Sequence, residues 1–359
     1  RLPKPNKIIA EKYVTGLSQF KDKAVKIKLS ANESALGPSP KAIKEYLRLA
    51  KNFKRYPDSE GVNLRKALAK KFKLDPSKII LGSGSDQILE LICKAFLKKG
   101  DEVVVPKYSF LIYRLYSQMN GAKILYSKEI NFTVSVNDIL KKVTKKTKIV
   151  FLANPNNPTS TYIDKKKLLF LRKRLRSNIL LVVDDAYFEY VKQKNYSSGL
   201  QLFSNLKNVV VTRTFSKIYG LAGLRVGWGY GSKEIINSLN RVKPPFNINS
   251  PALSAAEAAI KDNAWLNKEI KHVKKWNDKF YKEFKKLNIE TNKGFTNFLL
   301  INFDKIKKNS SKIFELLAGA GILVRKMNNY NIKNSLRVTI GKNDENKKLI
   351  LKLKKVINV

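Results

Sequence analysis

Cysteine and histidine are almost missing from this chain. Its 359 residues include one of each, Cys93 and His272. An internal disulfide, a cysteine metal cluster, a multi-histidine zinc site and a histidine-based catalytic triad are therefore all excluded, and no metal is expected. Cys93 falls within the apolar periodicity of SDQILELICKAFL and reads as a packed thiol, while His272 lies in the lysine-rich helical run KEIKHVKKW. No apolar run approaches the ~18 residues of a membrane-spanning helix. The opening RLPKPNKIIAEKY lacks the apolar block of a secretion signal, so the expected location is the cytoplasm. There is no GxxxxGK[ST] loop for a nucleotide phosphate, no internal repeat and no low-complexity linker.

Acidic residues are also scarce, with 28 Asp and Glu against 72 Lys and Arg, for a formal charge of +44. A charge of that size raises nucleic acid or an anionic membrane as partners. Yet only 13 of the basic residues are arginine, and the lysines are spread through nearly every polar segment. Dedicated nucleic-acid readers concentrate their charge, use arginine for bidentate contacts and interleave aromatics. The favoured reading is a solvated surface, with no specific nucleic acid and no membrane as partner.

What is present is material for about two domains and a hydrophobic content of 43%, ample for a real core. Short apolar runs (KIILGS, EVVVP, AKILY, KIVFLANP, NILLVVDD, NVVVTRTF, LRVGWGYG) alternate with helical patterns, which predicts an α/β domain with a mostly parallel central sheet flanked by helices. From about Ser250 a long helical tract runs to Leu287, and NFLLINF, KIFELLAGAGILVRKM and SLRVTIG then indicate a smaller α+β domain. The expected division is an N-terminal arm over 1–40 packing on the small domain or a partner, a large domain over 41–270 and a small C-terminal domain over 271–359.

Four stretches carry chemistry. In LGSGSDQILE a strand runs through Gly82 and Gly84 into a helix start at Ser85 and Asp86, where backbone amides and the helix dipole favour a phosphate; an ordinary Ser85 cap explains the pattern equally well. FLANPNNPTSTY leaves a buried strand for a turn that sets the amide of Asn157 at the sheet's carboxyl edge, where open α/β sheets bind ligands, although Asn and Pro also make plain turns. ILLVVDDAYFEY ends an apolar strand in Asp184 and Asp185, with Tyr187 close behind. An acid there needs a partner, and a helix cap or a magnesium ion would also serve. In TFSKIYGLAGLRVGW, Lys217 stands alone at a strand end before a glycine-bearing turn, in a chain most of whose lysines sit in polar helical patterns. Phosphate cradle, amide, buried acid with tyrosine and strand-end lysine together describe a pyridoxal phosphate site: the cofactor's aldehyde condenses with a lysine, and a carboxylate keeps its pyridine nitrogen protonated.

These residues resemble the fold-type-I pyridoxal phosphate aminotransferases, and within them the histidinol-phosphate aminotransferase family. KLSANESALGPSP, RYPDSEG, GSGSDQI, FLANPNNPTSTY, VVDDAYFEYV, TRTFSKIYGLAGLRVGW, GILVRK and SLRVTIG follow the family's order nearly end to end. The resemblance implies that Lys217 binds the cofactor covalently and then moves the substrate proton, that Asp184 pairs with the pyridine nitrogen, and that Asn157 and Tyr187 bond its phenolic oxygen. The phosphate would rest on the amides of Ser85 and Asp86, the hydroxyls of Thr214 and Ser216 and the guanidinium of Arg225, with Tyr108 stacked on the ring. Tyr56 would reach the phosphate of a partner subunit, making a homodimer with shared sites. Arg337, with Arg325 and Tyr13 as helpers, would grip the substrate's anionic group. One departure from the family is Ser160, where a glycine is common. The implied reaction exchanges an amino group between L-histidinol phosphate and 2-oxoglutarate, giving imidazole-acetol phosphate and glutamate in histidine biosynthesis. An aromatic aminotransferase or a phospho-amino-acid decarboxylase of the same fold, and a basic nucleic-acid binder with a degenerate site, are the alternatives.

Overall fold

The computed structural model describes residues 20, 25–49, 51 and 54–358. Its centre is a 7-stranded sheet in the order Ile79–Gly82, Gly227–Tyr230, Val209–Thr214, Leu180–Asp184, Thr147–Ala153, Glu102–Pro106, Lys123–Ser127. These are the runs that the sequence marks as strands. Gly227–Tyr230 lies antiparallel to both its neighbours and the other pairs are parallel. The central strands read as unbroken apolar runs because both faces are covered. Side chains alternate, so Val182 and Val210 pack with Ile88 and Ile92 on one face, while Val183 and Val211 pack with Leu200 and Phe203 on the other. Each such buried side chain contributes about 1.5–3 kcal/mol.

The helical tract from Ser250 is two helices that meet at Asp262. Ser250–Lys261 is capped by Asn249, whose side chain accepts from the Ala252 amide, and Asn263–Lys286 is capped in the same way by Asp262 and the Trp265 amide. Val273, Trp276, Phe280 and Phe284 recur at helical spacing on the second helix and enter a separate core. That core covers an antiparallel sheet ordered Glu290–Thr291, Phe298–Asn302, Ser335–Thr339, Arg325–Lys326. Ile27 and Leu29 belong to it as well, and Ile27–Lys28 pairs in parallel with Ile322–Leu323. The segment that follows, Ser30–Glu33, is thereby laid across the carboxyl edge of the large sheet.

Ser160 lies in the turn after Thr147–Ala153 with φ +59°, the left-handed region that explains why glycine suits the position. The serine is held there from the second sheet's side: its hydroxyl bonds Thr296 Oγ1 at 2.6 Å and accepts from the Phe295 amide at 3.0 Å.

Candidate active site

The strands of the large sheet deliver their residues to one cavity of about 260 Å³ at their carboxyl ends. Alternation decides which residues enter it. At the end of Leu180–Asp184, Asp184 lines the cavity, whereas Asp185 turns away, accepts from the Gly199 amide at 3.1 Å and meets Arg213 at 3.4 Å. On the next strand Thr214 lines the cavity and Arg213 points away, its guanidinium 3.5 Å from the centre of the Phe188 ring. This buried Asp185 and Arg213 pair braces the ends of the strands that carry the cavity's acid and its lysine.

Asp184 is 5% exposed and both its oxygens are occupied. The Tyr113 hydroxyl donates to Oδ2 at 2.7 Å and the Ala186 amide to Oδ1 at 3.1 Å. Burial pushes its carboxyl up to about 6, and the bond from Tyr113 pulls the other way. Lys217 follows the strand Val209–Thr214, and its Nζ donates to the Ala31 carbonyl at 3.3 Å. Burial first, then the positive Arg337, lower its pKa from 10.5 to about 8. The turn after it needs glycine: Gly220 has φ +69°, and a Cβ there would stand 2.2 Å from the Gly37 carbonyl carbon.

The helix Gly84–Phe96 opens beside them, presenting first-turn amides that have no acceptor within the helix. Close packing here depends on glycine, because a Cβ on Gly227 would fall 2.2 Å from the Ser85 nitrogen and one on Gly84 would fall 2.3 Å from Arg225 Nη2. Arg225 reaches over the helix start to Ser216 Oγ at 3.3 Å and Asp86 at 3.2 Å, and Thr214 Oγ1 accepts from the Ser216 amide at 3.0 Å. The opposite wall comes from the smaller sheet. Arg325 and Arg337 are cross-strand neighbours and both line the cavity. Arg337 donates to Asn157 Oδ1 at 2.6 Å and to the Ser30 carbonyl at 3.0 Å, and its buried Nε has no partner among the described residues. Tyr187 Oη accepts from Asn32 Nδ2 at 3.0 Å, and its ring centre is 5.9 Å from Lys217 Nζ.

Ser85, Asp86, Asn157, Asp184, Tyr187, Thr214, Ser216, Lys217, Arg225, Arg325 and Arg337 thus meet in one place. Tyr108 and Tyr56 are not among the lining residues. The Tyr108 ring packs on Phe132 at 5.8 Å and against the cluster of Leu111, Leu300 and Met327, and it is Phe110 that lines the cavity. Tyr56 is 81% exposed. Tyr13 lies outside the described residues. Sequence reasoning missed Tyr113, Phe110 and the Ala31 to Asn32 wall. Tyr113 sits on the buried stripe of the helix Ile112–Met119 and reads from its neighbours as core.

The donor set fits pyridoxal phosphate. A lysine of lowered basicity faces a buried carboxylate, helix-start amides and hydroxyls converge with an arginine as an anion cradle, and no group of His, Cys, Asp and Glu among the described residues is placed to hold a metal. Fold and site together define a pyridoxal-phosphate-dependent enzyme of fold type I, a transaminase. The model of the family "Aminotransferase class I and II" matches residues 24–353, and the chain belongs to that family. A histidinol-phosphate aminotransferase of Pelagibacter ubique is 52% identical over 99% of both chains, and one of Rhodopseudomonas palustris (strain BisA53) is 41% identical over 98% of this chain and 97% of its own. Among solved structures, the histidinol-phosphate aminotransferase of Clostridium acetobutylicum superposes with a TM-score of 0.85 at 25% identity, covering 92% of this chain and 99% of that one. The Sinorhizobium meliloti enzyme in complex with pyridoxal 5'-phosphate has a TM-score of 0.87 at 23% identity, covering 94% and 92%, and shows the same fold.

Proposed function

We propose that the chain is a histidinol-phosphate aminotransferase, exchanging an amino group between L-histidinol phosphate and 2-oxoglutarate. The observation that carries the substrate assignment is the pair Arg325 and Arg337, side by side on the wall facing Lys217. One half-reaction brings a phosphate dianion and no carboxylate, and the other brings a dicarboxylate. Guanidinium groups serve both, because their planar forks make bidentate bonds to either oxyanion.

The bound cofactor supplies an electron-accepting ring that stabilises the charge left on the substrate carbon when its proton is removed. The chain does the rest. Lys217 Nζ, whose basicity burial lowers, takes the proton and returns it. Asp184, held as a carboxylate by Tyr113 and the Ala186 amide, keeps the ring nitrogen protonated. Asn32 donates to Tyr187 Oη and Arg337 occupies Asn157 Oδ1, so the Tyr187 proton and the Asn157 Nδ2 are the donors left for the phenolic oxygen. Ser85, Asp86, Thr214, Ser216 and Arg225 would hold the phosphate, and Phe110, which lines the cavity where Tyr108 does not, would take the ring-facing role that the resemblance gives to Tyr108. In this reading Tyr56 serves the phosphate of a second subunit, the active unit is a homodimer, and the reaction runs in the cytoplasm on the glutamate and 2-oxoglutarate pools.

The substrate test compares turnover of histidinol phosphate and of phenylalanine, each with 2-oxoglutarate. A clear preference for histidinol phosphate is expected, and faster turnover of phenylalanine would move the assignment to the aromatic aminotransferases. For site sharing, an inactive Tyr56 variant mixed with an inactive Lys217 variant recovers part of the activity in the heterodimer. No recovery from a mixture shown to contain heterodimers would exclude sharing.

A further inference from the structure

The exposed Tyr56 is not loose. Its ring stacks on Phe246, centre to centre 4.6 Å with an interplanar angle of 19°. Phe246 is itself 44% exposed and has φ +52°. A bulky aromatic residue in the left-handed region is an outlier that surrounding structure must impose, and here it belongs to an aromatic pair that stands exposed among the described residues. The loop around Phe246 is anchored on both sides. Pro244 and Pro245 stiffen its approach, and Lys243 Nζ donates to the Ser59 carbonyl at 3.2 Å, tying the loop to the segment that carries Tyr56. On the other side Asn247 Nδ2 donates to Gln87 Oε1 at 2.6 Å and to the Leu81 carbonyl at 3.3 Å, and the same Gln87 oxygen accepts from the Ser83 amide at 2.8 Å. Ser83 stands immediately before the helix Gly84–Phe96 of the chain's own proposed phosphate cradle, its amide held by Gln87. The shelf beneath Tyr56 is thus latched to a rigid part of the site.

We propose that Phe246 is a positioning residue that holds the Tyr56 ring so that its hydroxyl is presented to the cofactor phosphate of a second copy of the chain. This rests on the shared-site reading above. The strained aromatic is retained because an exposed tyrosine with free rotamers would lose most of the benefit of its single hydrogen bond to the entropy of ordering it.

Titration of apoprotein with pyridoxal phosphate, with oligomeric state measured in parallel, provides the test. Tyr56→Phe removes only the hydroxyl and is expected to raise the cofactor dissociation constant by on the order of tenfold, the worth of one hydrogen bond to a charged group. Phe246→Gly suits the left-handed backbone and so folds. It is expected to remain dimeric and to weaken cofactor binding by a similar factor, with the double variant no weaker than either single one and Phe246→Trp restoring near-native affinity. Native affinity in Phe246→Gly, effects that multiply in full with those of Tyr56→Phe, or a change confined to dimerisation each overturn the role of Phe246 while leaving the shared site standing. Native affinity in Tyr56→Phe removes the shared-site reading itself, and this inference with it.

Discussion

Replacing Tyr113 with phenylalanine isolates one oxygen atom. The ring stays, stacked on Phe151 at 5.0 Å and 2°, and the packing of a fully buried side chain is kept, but Asp184 Oδ2 loses the hydroxyl that donates to it at 2.7 Å. A hydrogen bond to a charged group is worth about 1.5–3 kcal/mol, which at 1.36 kcal/mol per pKa unit raises the Asp184 carboxyl by about 1 to 2 units. Starting from about 6, the value in the variant reaches about 7 to 8. The other charged and titratable groups around this carboxylate, Asp185 behind it and Asp86, Glu33, Tyr187, Lys217, Arg225, Arg325 and Arg337 around the cavity, are common to both proteins. The measurement is the cofactor dissociation constant of apoprotein as a function of pH. Ionisation of the cofactor phosphate and of Lys217 affects both proteins alike and cancels in the ratio of variant to native. If, as proposed, only the ionised Asp184 pairs with a protonated ring nitrogen, the ratio is expected near unity at pH 9 and on the order of ten at pH 6.5. A ratio that stays flat across this range would refute the argument, since it would mean that the hydroxyl contributes packing and nothing to the charge of Asp184.

Lys217→Met abolishes turnover and also stabilises the apoprotein. The lysine's folded pKa of about 8 lies below its ordinary 10.5, so the folded chain disfavours the ammonium. The gain in melting temperature is therefore full below pH 8 and fades as pH rises toward 10.5, and a gain independent of pH would contradict the assignment. Arg337→Ala is expected to lower kcat/KM for histidinol phosphate and for glutamate alike by on the order of a hundredfold or more, as truncating a buried charge partner does. Arg325→Ala should harm histidinol phosphate more, and equal small effects from both would detach the pair from substrate recognition. The surface charge of +44 predicts weak, sequence-independent DNA binding that vanishes as salt is raised, and tight binding at physiological salt would overturn the reading of a solvated surface.

The strands were legible as short apolar runs between helical patterns, and Asp184 and Lys217 were legible because each contradicts its immediate surroundings in the chain. Asp184 closes a run of buried apolar residues and Lys217 follows a strand whose every residue is buried, and a charge at such a place has no local explanation. The direction of Gly227–Tyr230 was not legible, since an apolar strand buried on both faces reads the same parallel or antiparallel. Tyr113 was hidden by the opposite circumstance. On the helix Ile112–Met119 it occupies the stripe where a core residue belongs, and only the sheet brings its hydroxyl to Asp184. Phe110 and Tyr108 are neighbours in one short segment, and which of them lines the cavity is settled by the packing of Leu111, Leu300 and Met327 around Tyr108, contacts that span most of the chain. Asn32 and Ala31 belong to a stretch placed by a two-residue pairing with Ile322–Leu323, remote in sequence. Local anomaly thus marks the groups whose charge would carry the proposed chemistry, while the residues that touch those groups are ordinary in the chain and reach them only through tertiary contacts. That division is why Tyr113 and Phe246, unremarkable as letters, are the positions where substitution will test the structure more sharply than another change at Lys217.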